Sequence, residues 1–228
     1  MMNFQIPSGA ATATIVLCGL LLGTGGCRKK KVAENTASQV VVASELASNA
    51  LGSLPSSVYQ SQANLAIHWQ PWTKASLSRA KAANRLVFGV IAMPQLPGFQ
   101  AVLESLAKNP DLVAVINDEY VPVLIDGDAS REMGLLAADL CGEIKRGLQM
   151  PLFVWMTPDG NPVAWMPVTN SNTARVSELF YQSHSMVSRL WTDDAAYITK
   201  NSSLDNAARR ERISQRKNTK TTSEKPAE

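Results

Sequence analysis

The chain has 228 residues, room for one domain of ordinary size with unstructured ends. Its net charge of +3 is too mild to indicate a nucleic-acid partner, and none is expected. That charge is uneven: Arg28–Lys31 form one basic block, Arg209, Arg210, Arg212, Arg216 and Lys217 another, and the middle from Glu104 to Asp159 leans acidic. Solvated ends around a folded centre are the expectation, with membrane-surface contact by the first block as the alternative.

At the N-terminus, Ile15–Leu22 is an apolar run too short to span a bilayer comfortably. Small residues Gly23-Thr24-Gly25-Gly26 follow and lead to Cys27. Residues 1–27 resemble a bacterial lipoprotein signal, which implies lipidation at Cys27. It also implies a domain anchored at the extracytoplasmic, periplasmic side of the cell membrane or outer membrane. An uncleaved signal anchor is the alternative, because Thr24 stands where Leu is preferred and Met1–Thr14 carry no Lys or Arg. With Cys27 blocked by lipid, Cys141 would have no partner thiol, so packing alone must stabilise the domain.

Residues 28–57 are rich in Ser, Ala, Asn and Thr and read as a flexible tether, with a short helix at Ser44–Leu51. Folded chain is expected over 58–192. Trp69-Gln70-Pro71-Trp72 precedes a helical stretch from Thr73 to Ala83, and Leu86–Ala92 is a continuous apolar run with the pattern of a strand buried on both faces. Pro97 suits the first turn of a helix through Lys108, with Val102, Leu103 and Leu106 as its apolar stripe and Asn109-Pro110 as its stop.

A second strand is Tyr120–Ile125, ending at Asp126, followed by a helix from about Ser130 to Cys141. This spacing predicts a βαβ unit. Two further apolar runs, Pro151–Met156 and Val163–Met166, flank Asp159-Gly160, a strong hairpin signal. An amphipathic helix from Thr173 to Trp191 offers Val176, Leu179, Phe180, Met186, Val187 and Leu190 to cover the sheet. Residues 193–228 read as a basic, largely disordered tail, with at most a marginal helix over Ala207–Lys217. The sum is an α/β sandwich: a central mixed sheet with flanking helices.

The residues from Asn84 to Pro162 resemble the thioredoxin-like domain of the spermatogenesis-associated protein 20 family. Its Trp-x-Pro-Trp motif is matched by Trp69, Pro71 and Trp72, and its Ala-Lys-x-x-Asn-Lys-Pro-Ile-Phe pattern by Ala80, Lys81, Asn84, Arg85, Val87 and Phe88. Ile125-Asp126 corresponds to the family's Val-Asp, and Met150–Pro162 to its Trp-Pro-Leu-x-Val-Phe-Leu-Thr-Pro-Asp-Gly-Lys-Pro signature. The resemblance implies a thioredoxin-like fold in which Pro151 is a cis-proline.

The family's Cys-x-x-Cys pair falls on Leu96-Pro97-Gly98-Phe99. Leu and Phe supply neither nucleophile nor leaving group, so dithiol exchange at this degenerate site is excluded. Met150, Pro151, Leu96 and Phe99 are expected to sit together as an apolar patch, either binding peptide or packing under a loop. Cys141 reads as a buried core thiol, with a single-thiol oxidoreductase as the alternative. Asp126 and Asp128 read as a solvated strand-end turn, and Trp69, Trp72, Trp155 and Trp165 as packing residues. His68 and His184 have no metal-like spacing, and neither metal nor cofactor is expected. The function expected is a redox-inactive, membrane-tethered module that binds a protein or peptide; a structural envelope lipoprotein is a further alternative.

Overall fold

The computed structural model describes residues 42–223 apart from Ala43 and Pro97. The signal segment, the Arg28–Lys31 block, the lipidation candidate Cys27 and the last residues of the tail lie outside the described residues. Five strands form one sheet in the order β1-β3-β2-β4-β5. They are β1 (Gln70–Pro71), β2 (Leu86–Ala92), β3 (Tyr120–Asp126), β4 (Leu152–Met156) and β5 (Pro162–Pro167). β3 pairs parallel with β1 and β2, whereas β4 runs antiparallel to both β2 and β5.

Both faces of the sheet are covered, which is why β2, β3 and β4 are buried at every residue. Because side chains alternate along a strand, Phe88 and Val90 enter one apolar layer while Val87 and Ile91 enter the other. The first layer is aromatic. Phe88 lies at its centre, 5.1 Å from the ring of Phe180, 5.3 Å from Phe153 and 5.4 Å from Trp155. It is roofed by α3 (Phe99–Ala107), α4 (Pro110–Glu119) and the first part of α6 (Val176–Ser223), whose Phe180 and Val187 are buried in it. The second layer is aliphatic and is covered by α2 (Lys74–Ala83) and α5 (Arg131–Glu143). A four-residue helix, α1 (Ser57–Gln60), precedes β1.

The hairpin turns where Asp159-Gly160 predicts it. Gly160 has φ 79°, in the left-handed region that glycine enters without a Cβ penalty, and a Cβ there would sit 3.0 Å from the Trp72 ring.

Four expectations differ from the structure. Asn109-Pro110 stops one helix and starts another: the Asn109 side chain accepts a hydrogen bond from the Leu112 amide, and Pro110 occupies the first turn of α4. The end of the tether is packed, not free, with Leu46 and Leu51 buried in opposite apolar layers. No helix spans Ser44–Leu51: the Ala50 amide donates to the Trp69 carbonyl at 2.8 Å, and the Asn49 side chain donates to the carbonyls of Gln62 and Ile67.

The fourth difference is the largest. Instead of a disordered tail from residue 193, helix α6 continues to Ser223 through a break at Asp194, whose φ of −158° is not helical. Asp194 Oδ1 accepts from the Tyr197 amide at 2.8 Å and so starts the second half of the helix. That half folds back onto β5 and α5 and is held there by polar contacts. Among the described residues no helix is long and apolar enough to cross a membrane.

Candidate functional site

The degenerate site lies where the chain leaves β2 and enters α3. Gly98, the N-cap of α3, has φ 104°, a conformation open to glycine, and its carbonyl accepts from the Val102 amide at 3.1 Å. Leu96 is half-buried and Phe99 is only 7% exposed. Pro97 lies outside the described residues. The expected patch does not assemble: Leu96 and Met150 pack into the aliphatic layer, Phe99 into the aromatic one. The chain crosses from one side of the sheet to the other between positions 96 and 99, so an apolar side chain at each end is drawn into a different core.

The Met150–Pro151 peptide is cis. Pro151 is buried, its carbonyl accepting from the Val168 amide at 2.9 Å. Met150 is 5% exposed, and neither its amide nor its carbonyl has a hydrogen-bond partner among the described residues. The loop before it is open to solvent, and Leu148 is 43% exposed, one of few large apolar side chains so placed.

Cys141 lies beneath this loop, its Sγ 4.0 Å from the Gln149 carbonyl, and is fully buried. Burial pushes the thiol pKa up, opposed by backbone hydrogen bonding at Gln149 and by the positive charge of Arg146. A thiol kept protonated and sealed from solvent is a poor nucleophile.

Asp126 is not a solvated turn residue. It is 6% exposed; Oδ1 accepts from the amides of Asp128 and Ala129, both at 3.0 Å, and Oδ2 accepts from the Ser56 hydroxyl. These bonds fix the turn into α5, and Asp128 itself is exposed. Neighbouring Tyr59 has its pKa raised, first by burial and further by the Asp126 charge, against lowering hydrogen-bond contributions. No cluster of His, Cys, Asp and Glu able to hold a metal occurs among the described residues.

His184 belongs to a different cluster, with Nδ1 2.9 Å from the Tyr120 hydroxyl and its ring stacked on Phe180. Burial, reinforced by the Glu119 charge, raises the Tyr120 pKa well above the usual tyrosine range. Trp69 and Trp155 are fully buried, while Trp165 donates Nε1 to the Leu140 carbonyl at 2.8 Å.

The contacts that sequence reasoning missed join α5 to the end of α6. Arg209 donates to both carboxylate oxygens of Glu143, and Arg212 pairs with Asp139 at 2.7 Å and with Glu143. The Arg209 guanidinium also lies 4.9 Å from the Trp165 ring centre. The only sequence signal was Asp194 as a cap, followed by basic residues about four turns later.

Residues 48–208, well over half of the chain, match the model of the family described as Thioredox_DsbH, protein of unknown function, DUF255. No curated protein matches the chain. Among solved structures, the solution structure of a thioredoxin from Thermus thermophilus is similar at 15% identity, covering 51% of this chain and 88% of that chain with a TM-score of 0.37.

Proposed function

We propose, for a chain that belongs to the Thioredox_DsbH family, a module that binds a protein or peptide segment without exchanging disulfides and is tethered to an extracytoplasmic membrane face. The observation that carries this reading is exposed Leu148 next to the unpaired backbone of Met150, on a fold whose two thiol positions hold the apolar residues Leu96 and Phe99. An extended segment anchored on Leu148 could satisfy the Met150 amide and carbonyl as an added strand would. The Trp69-x-Pro71-Trp72 motif and the Thr157–Gly160 turn support a finer likeness to the thioredoxin-like domain of the spermatogenesis-associated protein 20 family. Tethering rests on the Ile15–Cys27 pattern.

The burial of Cys141 weighs against the single-thiol reading. The ion pairs of Arg209 and Arg212 weigh against a spacer with a free basic tail. The test pairs two assays on residues 28–228: reduction of insulin disulfides, and binding to an array of extended apolar peptides. No reduction is expected, and peptide binding should fall at least about tenfold in Leu148→Asp, a loss of about 1.4 kcal/mol. Reduction that disappears in Cys141→Ser would overturn the proposal, as would peptide binding indifferent to Leu148.

A further inference from the structure

Helix α5 ends in two backbone bonds that turn the chain toward Met150. The Lys145 amide donates to the Gly142 carbonyl at 2.9 Å and the Arg146 amide to the Cys141 carbonyl at 3.0 Å, with Lys145 at φ 56°. Glycine is the usual residue in such a left-handed helix end, and a lysine stands here. From this turn onward Lys145, Arg146, Gly147 and Leu148 are all exposed, whereas Met150 is buried.

The loop carries two positive charges that no described carboxylate pairs with. Asp139 and Glu143, on the last turns of α5, are matched by Arg212 and Arg209. Lys145 and Arg146 form no ion pair among the described residues. Arg146 is also directed along the loop. Its Nη1 lies 3.5 Å from Gln149 Oε1, which brings the guanidinium beside the residue that precedes Met150. A cation, an exposed leucine and an unpaired backbone amide and carbonyl therefore follow one another from Arg146 to Met150.

We propose that the segment bound at this loop is acidic: an extended peptide with an aspartate or glutamate that pairs with Arg146. This inference rests on the peptide-binding reading and adds the chemical class of its partner. Extended chain advances about 3.3 Å per residue, so a carboxylate one or two residues from the backbone paired with Met150 reaches the guanidinium. Arginine then offers the carboxylate two parallel donors. An anionic lipid surface would also meet the two cations and Leu148. Its phosphate groups accept hydrogen bonds but donate none, so the buried Met150 carbonyl would stay unpaired; a peptide amide satisfies it.

The experiment titrates the isotopically labelled protein, residues 28–228, with the peptide acetyl-Thr-Asp-Val-Leu-Asp-Thr-amide and with versions carrying Asn or Lys in place of both Asp. In the first, an acid lies one or two residues from either apolar residue in both chain directions. The readouts are the backbone amide resonances of 147–150. At low ionic strength the Asp version should bind at least about threefold tighter than the Asn version, the size of effect that an exposed ion pair gives, and the margin should shrink as salt is added. In Arg146→Gln the Asp version should fall to the affinity of the Asn version. Leu148→Asp should weaken the Asn version, which carries no acid and so tests the peptide-binding reading alone. Equal affinities for the Asp and Asn versions, or an Asp preference that survives Arg146→Gln, would overturn the inference while a Leu148-dependent Asn version keeps the reading. No saturable binding of any version, or shifts at 147–150 produced only by vesicles of phosphatidylcholine and phosphatidylglycerol, would overturn both.

Discussion

Arg209 and Glu143 form a two-pronged pair, Nε to Oε1 at 3.0 Å and Nη2 to Oε2 at 3.1 Å, with the arginine side chain 4% exposed and the glutamate 19% exposed. This contact turns the end of the chain from a tail into a part of the fold. Its two members are not equivalent, because Glu143 also receives Arg212 whereas Arg209 has no second carboxylate among its ion pairs.

Removing the glutamate should therefore be worse than removing the arginine. Glu143→Ala strands a buried guanidinium, and breaking such a pair from one side costs about 3–5 kcal/mol. Arg209→Met leaves Glu143 with Arg212 and should cost about 1–2 kcal/mol. Urea unfolding followed by tryptophan fluorescence measures both; equal losses would show that the pair contributes nothing specific.

Limited trypsin digestion separates a folded end from a disordered one. Arg209 and Lys200 lie in the folded-back helix, Arg209 buried beneath its neighbours. Cleavage after them should proceed at the rate of unfolding and slow with any stabilising condition. Rapid nicking at Arg209 in the native protein would contradict the packed arrangement.

Restoring cysteines at positions 96 and 99 should have unequal effects. Phe99→Cys removes a buried ring and should cost about 2–4 kcal/mol, whereas half-buried Leu96→Cys should cost about 1 kcal/mol. Chemical denaturation of the two single variants decides this. Equal and negligible losses would mean that the loop does not hold Phe99 in the aromatic layer.

Alkaline pH should destabilise the protein. Burial raises the pKa of both Cys141 and Tyr120, so the folded state holds these protons to higher pH than the unfolded chain does. The unfolded state then binds fewer protons, and stability falls with pH. The contribution is complete below the unfolded thiol pKa of about 8.5 and is lost as pH rises through the folded values, with the tyrosine effect setting in above about pH 10. Tyr120→Phe should flatten the decline above pH 10 while costing about 0.5–1.5 kcal/mol at neutral pH through the lost His184 hydrogen bond. A wild-type stability that rose between pH 8 and 11 would reverse the assignment.

Much of the α/β architecture is legible in the amino-acid sequence. Leu86–Ala92 and Tyr120–Ile125 read as doubly buried strands because both sides of a covered sheet must be apolar, and Asp159-Gly160 marked a hairpin because its turn needs a residue at positive φ. Helix α4 was readable too, through Asn109-Pro110, but a stop and a start share the same residues and only the stop was read. The degenerate site was legible as a loss of chemistry but not as a shape. Nothing in Leu96 to Phe99 says that its two ends enter opposite layers.

The end of the chain lies beyond the reach of local pattern. Composition and periodicity report what a segment does alone, and residues 195–223 have too little apolar surface to form a stable helix alone. The amino-acid sequence by itself determined the strands, the hairpin and the absence of thiols at the degenerate site, because each follows from burial or chemistry within a few residues. Only the tertiary structure decided that Arg209 meets Glu143, that Cys141 is sealed beneath the loop before Pro151, and that a cavity forms beside β5. Those outcomes depend on polar partners 66 residues apart, or on the surfaces that the packed sheet and helices jointly enclose.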